Sequence, residues 1–410
     1  MATPAQRTNT WILNEWYDQA VAGTTGGYNG EKNLMLWGRN ESGYLGQNQP
    51  EASMKSSPVQ VPGQWKLLGE NYKSTHTQAI KTDGTLWSWG ANYYGEFGDN
   101  TNEGSNADKY SSPVQCGTDT TWAVVVPLAY ASLATKTDGT LWSWGRNQHG
   151  MLGQDNLTEI SSPAQVGSDT TWPIVQSKCS GNTNGGGLMI KTDGSLWTWG
   201  ANNQGKLGLS QPGAPTGGRI SSPAQIGTGT DWGSVSTTSF YFSTAVKTDG
   251  TLWQWGQNKY GQLGQNESGA ASDNMNYSSP CQVPGTTWSR ASSAAQSTLA
   301  TKTDGSLWGW GRNYNGHLGH NNEVLYSSPV QVGTDTDWDL PFCGNSNAVV
   351  LKTDGSYWAI GANEHGELGQ NQGPAQLGGR SSPVQVGTRT DWIYASVFGE
   401  DRASAGLLNI

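Results

Sequence analysis

KTDGTLWSWG occupies residues 81–90, returns unchanged at 136–145, and reads KTDGSLWTWG at 191–200. Asp-Gly tolerates the positive φ of a tight turn, so each copy predicts a hairpin turn feeding a strand. Side chains alternate along that strand, with Trp87 and Trp89 facing one way and Leu86 and Ser88 the other. A strand packed between neighbours on both faces buries both sets, and a fully buried Trp contributes on the order of 2–3 kcal/mol. The Trp-x-Trp pair keeps a fixed place inside a repeated strand. It therefore reads as packing rather than as a ligand-stacking platform or a light-absorbing cluster.

Outward from this stretch, three marks recur in fixed order. W-G steps end at Gly38, Gly90, Gly145, Gly200, Gly256 and Gly311, with Ile360-Gly361 as the seventh. G-x-[LF]-G begins at Gly43, Gly95, Gly150, Gly205, Gly261, Gly316 and Gly366. S-S-P ends at Pro58, Pro113, Pro163, Pro223, Pro280, Pro329 and Pro383, a strand entry where proline costs no ladder bond. A lone Trp follows each S-S-P, from Trp65 to Trp392. Successive W-G glycines are 52, 55, 55, 56, 55 and 50 residues apart. Seven copies at this period predict a propeller or solenoid.

KTDG itself occurs only six times, at Lys81, Lys136, Lys191, Lys247, Lys302 and Lys352. The first W-G is preceded instead by NGEKNLML, and the last residues, SAGLLNI, look like the strand before KTDG elsewhere (STLATK, NAVVLK). The seventh unit is complete only if the two chain ends meet. A closed ring needs that meeting and an open solenoid does not. The expected fold is all-β: a seven-bladed β-propeller of four-stranded blades over 29–410, closed by pairing of N- and C-terminal strands.

Residues 1–28 form a separate arm in this reading. TWILNEWYDQAVA (10–22) predicts a short amphipathic helix ended by Gly23. Trp11, Ile12, Leu13, Trp16, Tyr17 and Val21 are its candidate docking residues. A helix this short is marginal alone, so its apolar face needs a partner, either this ring or another chain.

Composition narrows the chemistry. The chain has 57 Gly and 21 Trp in 410 residues, only 13% charged residues and a net charge of −9. That balance argues against a phosphate-backbone ligand, which needs clustered Lys and Arg, and no nucleic-acid partner is expected. No apolar run reaches the roughly 18 residues of a membrane helix, and no secretory signal is read. Cys116, Cys179, Cys281 and Cys343 lie far apart without metal-ligand spacing, which fits small buried side chains in a reducing compartment. His149 and His365 share one loop position with Tyr94, Gln204 and Tyr260, a variability that argues against catalysis. No nucleophile, base and orienter stand together, so no enzyme, cofactor or metal is expected. Asp335 and Asp337 lie two apart, but without a full calcium loop they read as turn caps. The segments between G-x-[LF]-G and S-S-P vary most in length. Tyr110, Tyr277 and Tyr326 end three of them and are the candidate recognition residues.

KTDGTLWSWGRNQHGMLGQ…SSPAQVG resembles the repeat of the regulator of chromosome condensation family over about residues 29–410. The resemblance implies a seven-bladed propeller closed by both chain ends. The family's exchange factor for a small GTPase also binds chromatin, a role that implies a basic tail; residues 1–28 here hold Arg7 against Glu15 and Asp18. The family's light-sensing branch uses Trp in G-W-R-H-T motifs, whereas the corresponding GENYKSTHT and CGNSNAV contain none. The wording TDGTLW.WG.N..G.LG is similar to bacterial and bacteriophage versions. It implies a non-enzymatic virion component (tail, fibre or capsid surface) synthesised in the host cytoplasm. Such a component would dock other virion proteins through the arm and meet a host-surface glycan or protein through its loops. The alternatives are an intracellular interaction scaffold or small-GTPase regulator, then a secreted glycan-binding protein.

Overall fold

The computed structural model describes residues 32–408 apart from 49–52, 70–73, 102–108, 177–178, 182–185, 211–217, 237–240, 268–274, 373–377 and 399–402. The strands form seven antiparallel sheets of four strands each. Six blades are continuous in sequence (65–115, 122–165, 179–225, 232–283, 288–331 and 338–385), numbered one to six below. Blade seven combines Trp392–Phe398 and Ala403–Leu408 with Asn33–Arg39 and Met54–Val61. Asn33–Arg39 pairs with Ala403–Leu408 on one side and with Met54–Val61 on the other. The ring closes by pairing of the two end regions, as the missing seventh KTDG requires.

In every blade but the third, where it starts at Cys179 beyond Trp172, the first strand begins at the lone Trp; it lies innermost, against neighbouring blades. The fourth strand carries S-S-P and forms the half-exposed rim. KTDG turns and the S-S-P-to-Trp connections emerge on one side of the ring, the turn face. The turns between first and second strands and the loops after W-G emerge on the other, the loop face.

The repeated residues are explained by the seams between blades. The second Trp of the Trp-x-Trp pair is fully buried, and its Nε1 donates to the carbonyl of the variable residue of G-x-[LF]-G in the preceding blade. Trp89 reaches Tyr44 O at 2.7 Å, Trp144 reaches Glu96 O at 2.7 Å and Trp199 reaches Met151 O at 2.9 Å. Trp255, Trp310 and Trp37 do the same with Lys206, Gln262 and Glu367. Only the blade five–six seam lacks this bond, because Ile360 replaces the Trp.

The rim has its own fastening. A left-handed residue three past the Leu or Phe of G-x-[LF]-G sends its N–H to the first Ser of S-S-P in the next blade. Asn48 to Ser111 (2.6 Å), Asn100 to Ser161 (2.9 Å) and Asn371 to Ser56 (2.7 Å) are examples. The first glycine of the motif permits this approach: a Cβ on Gly43 would lie 2.8 Å from Ser111 Cα and on Gly366 2.7 Å from Ser56 Cα. S-S-P is thus a docking strip as well as a proline-tolerant strand. The Asn of W-G-x-N fixes the loop, its Oδ1 accepting the N–H five residues on, as Asn92 does from Phe97 (3.1 Å) and Asn147 from Leu152 (3.0 Å).

The expected docking helix at 10–22, with Trp11, Ile12, Leu13, Trp16, Tyr17 and Val21, lies outside the described residues. Among the described residues there is no α-helix.

Candidate functional site

The turn face is built by one repeated bracket. Asp83 Oδ1 accepts from Thr85 N–H (2.9 Å) and Oγ1 (2.6 Å), and Trp87 Nε1 donates onward to Thr85 Oγ1 (2.8 Å). The hydroxyl of Thr85, then its N–H, holds the Asp83 carboxyl below its usual range. The same relay returns in all six KTDG copies. The KTDG lysine lies between two indoles: Lys136 Nζ is 3.6 Å from the Trp142 ring centroid and 4.9 Å from that of Trp122. The first Trp of the pair is therefore half-buried under a cation rather than fully packed.

Carboxylates from the neighbouring turn complete four brackets: Asp119 on Lys136 (2.7 Å), Asp169 on Lys191, Asp231 on Lys247 (3.1 Å), and both Asp335 and Asp337 on Lys352 (2.6 and 3.0 Å). Asp335 and Asp337 are thus structural counter-ions to a lysine. In blade seven Leu408 stands where the other blades have that lysine, and Arg389 supplies the charge to Asp391 from within the same turn. No group of three or more His, Cys, Asp or Glu side chains suited to a metal occurs among the described residues. The turn face reads as self-neutralised architecture.

On the loop face, two clusters lie at blade seams. At the seam of blades one and two, the Arg146 guanidinium lies 4.7 Å from the Tyr94 ring centroid and 5.3 Å from that of Tyr130, and donates to Gln148 Oε1. At the seam of blades four and five, the Arg312 guanidinium lies 4.1 Å from Tyr314 and 5.7 Å from Tyr260, and donates to Gln296 Oε1 at 2.8 Å. The tyrosines meet edge-on, Tyr94 with Tyr130 at 5.4 Å and Tyr260 with Tyr314 at 6.5 Å. Tyr314 is 54% exposed. Arg146 and Arg312 are held by equivalent backbone bonds, Arg146 N–H to Tyr130 O (2.8 Å) and Arg312 N–H to Gln296 O (2.9 Å).

Below this face, the variable residue of G-x-[LF]-G is buried in every blade. Burial pushes the Glu96 carboxyl up to about 8, and pulls Lys206 down to about 7 and His317 to about 4. Glu96 Oε2 still accepts the Tyr94 N–H at 2.7 Å. Ser297 Oγ lies 2.9 Å from His317 Nε2, but the pair is buried and His317 Nδ1 has no hydrogen-bond partner. It lacks both the orienting group and the access that nucleophilic catalysis needs.

The three candidate loop tyrosines sit at the start of rim strands, tied to their own blades. Tyr110 packs on Phe97 at 5.3 Å, Tyr277 Oη donates to Glu267 at 2.8 Å, and Tyr326 stacks edge-on with His320 at 4.7 Å while accepting from Asn322. Sequence reasoning passed over Tyr94, Tyr130, Arg146, Tyr260, Arg312 and Tyr314. The position of Tyr94 and Tyr260 was read only for catalysis. The signal was there in the two residues between Asn and Gly of W-G-x-N-x-x-G, together with Arg as the residue before that Asn.

The family model described as "RCC1-like domain" matches residues 33–401. The ultraviolet-B receptor UVR8 of Arabidopsis thaliana is 26% identical over 301 residues, covering 73% of this chain and 65% of the receptor. The chain thus spans less than two thirds of that relative. The mitochondrial RCC1 domain-containing protein RUG3 of the same plant is 25% identical over 345 residues, 77% of this chain and 74% of that protein. Among solved structures, Prp20p of Saccharomyces cerevisiae superposes with a TM-score of 0.77 at 17% identity, covering 93% of this chain and 92% of that one, a likeness of fold. These matches to cellular plant and yeast proteins overturn three expectations: a bacteriophage virion protein, virion or host-surface partners, and a virion location. The physical reason is that the wording which suggested a phage is imposed by the bracket and the seams, so it carries the fold and not the source.

Proposed function

The chain belongs to the RCC1-like domain family, and from that premise we propose that its ring is a protein-interaction module, not an enzyme, with the loop face as its docking surface. The observation that carries this reading is the contrast between faces. The turn face satisfies most of its charges internally, whereas the loop face presents Tyr and Arg, the residue types that dominate binding hot spots, on loops fixed by Asn caps and blade seams. Tyr110, Tyr277 and Tyr326 form the outer rim of this surface in the same proposal. Residues 1–28 form an arm distinct from the propeller at 29–410, with 10–22 a helix docking on the ring or on the ring's partner.

A site-specific photocrosslinker tests the reading, placed at Tyr314 on the loop face or at Gln64, exposed on the turn face. The expected result is a discrete protein adduct from Tyr314 and none from Gln64. Adducts from Gln64 alone overturn it.

A second reading, regulation of a small GTPase, is favoured by the likeness to Prp20p, a protein with binding properties toward Gsp1p and histones. Acceleration of labelled-nucleotide release from a panel of small GTPases supports it. No acceleration by saturating protein rejects it.

A further inference from the structure

The two loop-face clusters are one site built twice. Each contains one Arg, one Gln and an edge-on Tyr pair, with Tyr93 also 6.4 Å from Tyr130 in the first, yet the positions differ. In the first, Tyr130 comes from the turn between first and second strands and Gln148 from the loop after W-G. In the second, Gln296 comes from that turn and Tyr314 from that loop. Gln and Tyr have exchanged places while the arrangement around the guanidinium is kept. Simple inheritance of a repeat does not exchange residues, so the grouping itself is what the two seams share.

Among the described residues neither Arg146 nor Arg312 forms an ion pair, although Arg290 and Arg389 elsewhere do, with Asp339 and Asp391. Each guanidinium lies near two phenol rings, at 4.7 and 5.3 Å for Arg146 and 4.1 and 5.7 Å for Arg312, and spends a donor on one amide oxygen. Its remaining N–H groups form the fork that receives a carboxylate by two parallel hydrogen bonds. The rings restrict its rotamers, which lowers the ordering cost of binding.

Resting on the interaction reading above, we propose that these clusters are paired receptor sites for carboxylate side chains of an acidic segment of a partner protein, three blades apart around the ring. Isolated arginines on a chain of net charge −9 fit single carboxylates, not the continuous phosphates of a nucleic acid or the sulfates of a polysaccharide. Lys259, 5.3 Å from the Tyr260 ring centroid, adds a second cation to one site. Two sites on one rigid ring favour a partner bearing two acidic groups, since the second contact forms intramolecularly.

The test uses the purified chain of residues 1–410 on an array of Asp/Glu-rich twelve-residue peptides. The same peptides with Asn/Gln, single-stranded DNA and heparin serve as comparison arms. The expected result is binding that follows acidic content, weakens with salt, and falls about tenfold in R146A and in R312A. R146K and R312K, which keep the charge but lose the fork, are expected to fall nearly as far. K66A, exposed at the turn-face end of an inner strand, leaves binding unchanged, and thermal melting confirms that each variant is folded. Equal binding of amide peptides, full binding by the Lys variants, or a preference for DNA or heparin overturns the proposal. No array binding by a chain that still gives the Tyr314 adduct overturns this inference alone. Loss of that adduct as well overturns the interaction reading.

Discussion

Glu96 and Gln262 occupy the same place in two blades and show what one buried charge does. Glu96 Oε2 accepts the Tyr94 N–H at 2.7 Å, and Gln262 Oε1 accepts the Tyr260 N–H at 2.8 Å. The amide makes the bond without a charge to desolvate. Because burial raises the folded Glu96 value from 4.5 to about 8, its contribution to stability is full below pH 4.5 and is lost as pH rises through 8. E96Q is expected to flatten that slope and to stabilise the protein at pH 9 by on the order of 2 kcal/mol, read by urea melts at pH 5 and 9. An unchanged slope contradicts the assignment. His76 and His317 act at the other end. Burial lowers them to about 3 and about 4, so their contribution is present above pH 6.5 and lost as pH falls toward those values. H317Q is expected to shift acid denaturation to lower pH; an unmoved midpoint rejects that role. The sequence revealed neither case, since burial of Glu96 and His317 on their loops, and of His76 at the start of its strand, depends on the packing around them.

At the scale of strands and seams, the fold was legible because every blade meets the same packing problem. Asp-Gly had to turn, Trp had to fill, and the six KTDG copies against seven G-x-[LF]-G motifs located the closure. The uses of S-S-P and of the W-G-x-N asparagine were hidden, because their partners lie in another blade or five residues on. The Tyr–Arg clusters were hidden for the same reason: Tyr94 and Arg146 are 52 residues apart, as are Tyr260 and Arg312. Removing one seam bond while keeping most of the ring, as in W144F, is expected to cost about 1 kcal/mol in urea unfolding. No loss means the Nε1 bond to Glu96 O is not a net fastening. At the blade five–six seam, Ile360 makes no such bond, and the Asn347 side-chain amide and His317 Nδ1 are buried without hydrogen-bond partners. Native-state hydrogen exchange is expected to be faster at 347–361 than at the matching 131–145. The reverse order shows that packing around Ile360 compensates.

The whole molecule is a ring whose two faces differ because its chain neutralises one and leaves the other to loops. That division holds only while the ring is closed, since an open blade seven exposes Leu34, Leu36 and Trp37 and lets neighbouring loops drift. Closure in turn rests on one strand, Ala403–Leu408, which pairs on both edges and buries Leu407 and Leu408. Urea unfolding of the full chain beside a chain ending at residue 402 tests this most directly. The account predicts that the truncated chain loses the single cooperative transition of the full ring and binds hydrophobic dye in buffer. A truncated chain with an unchanged midpoint and slope contradicts closure by the chain ends.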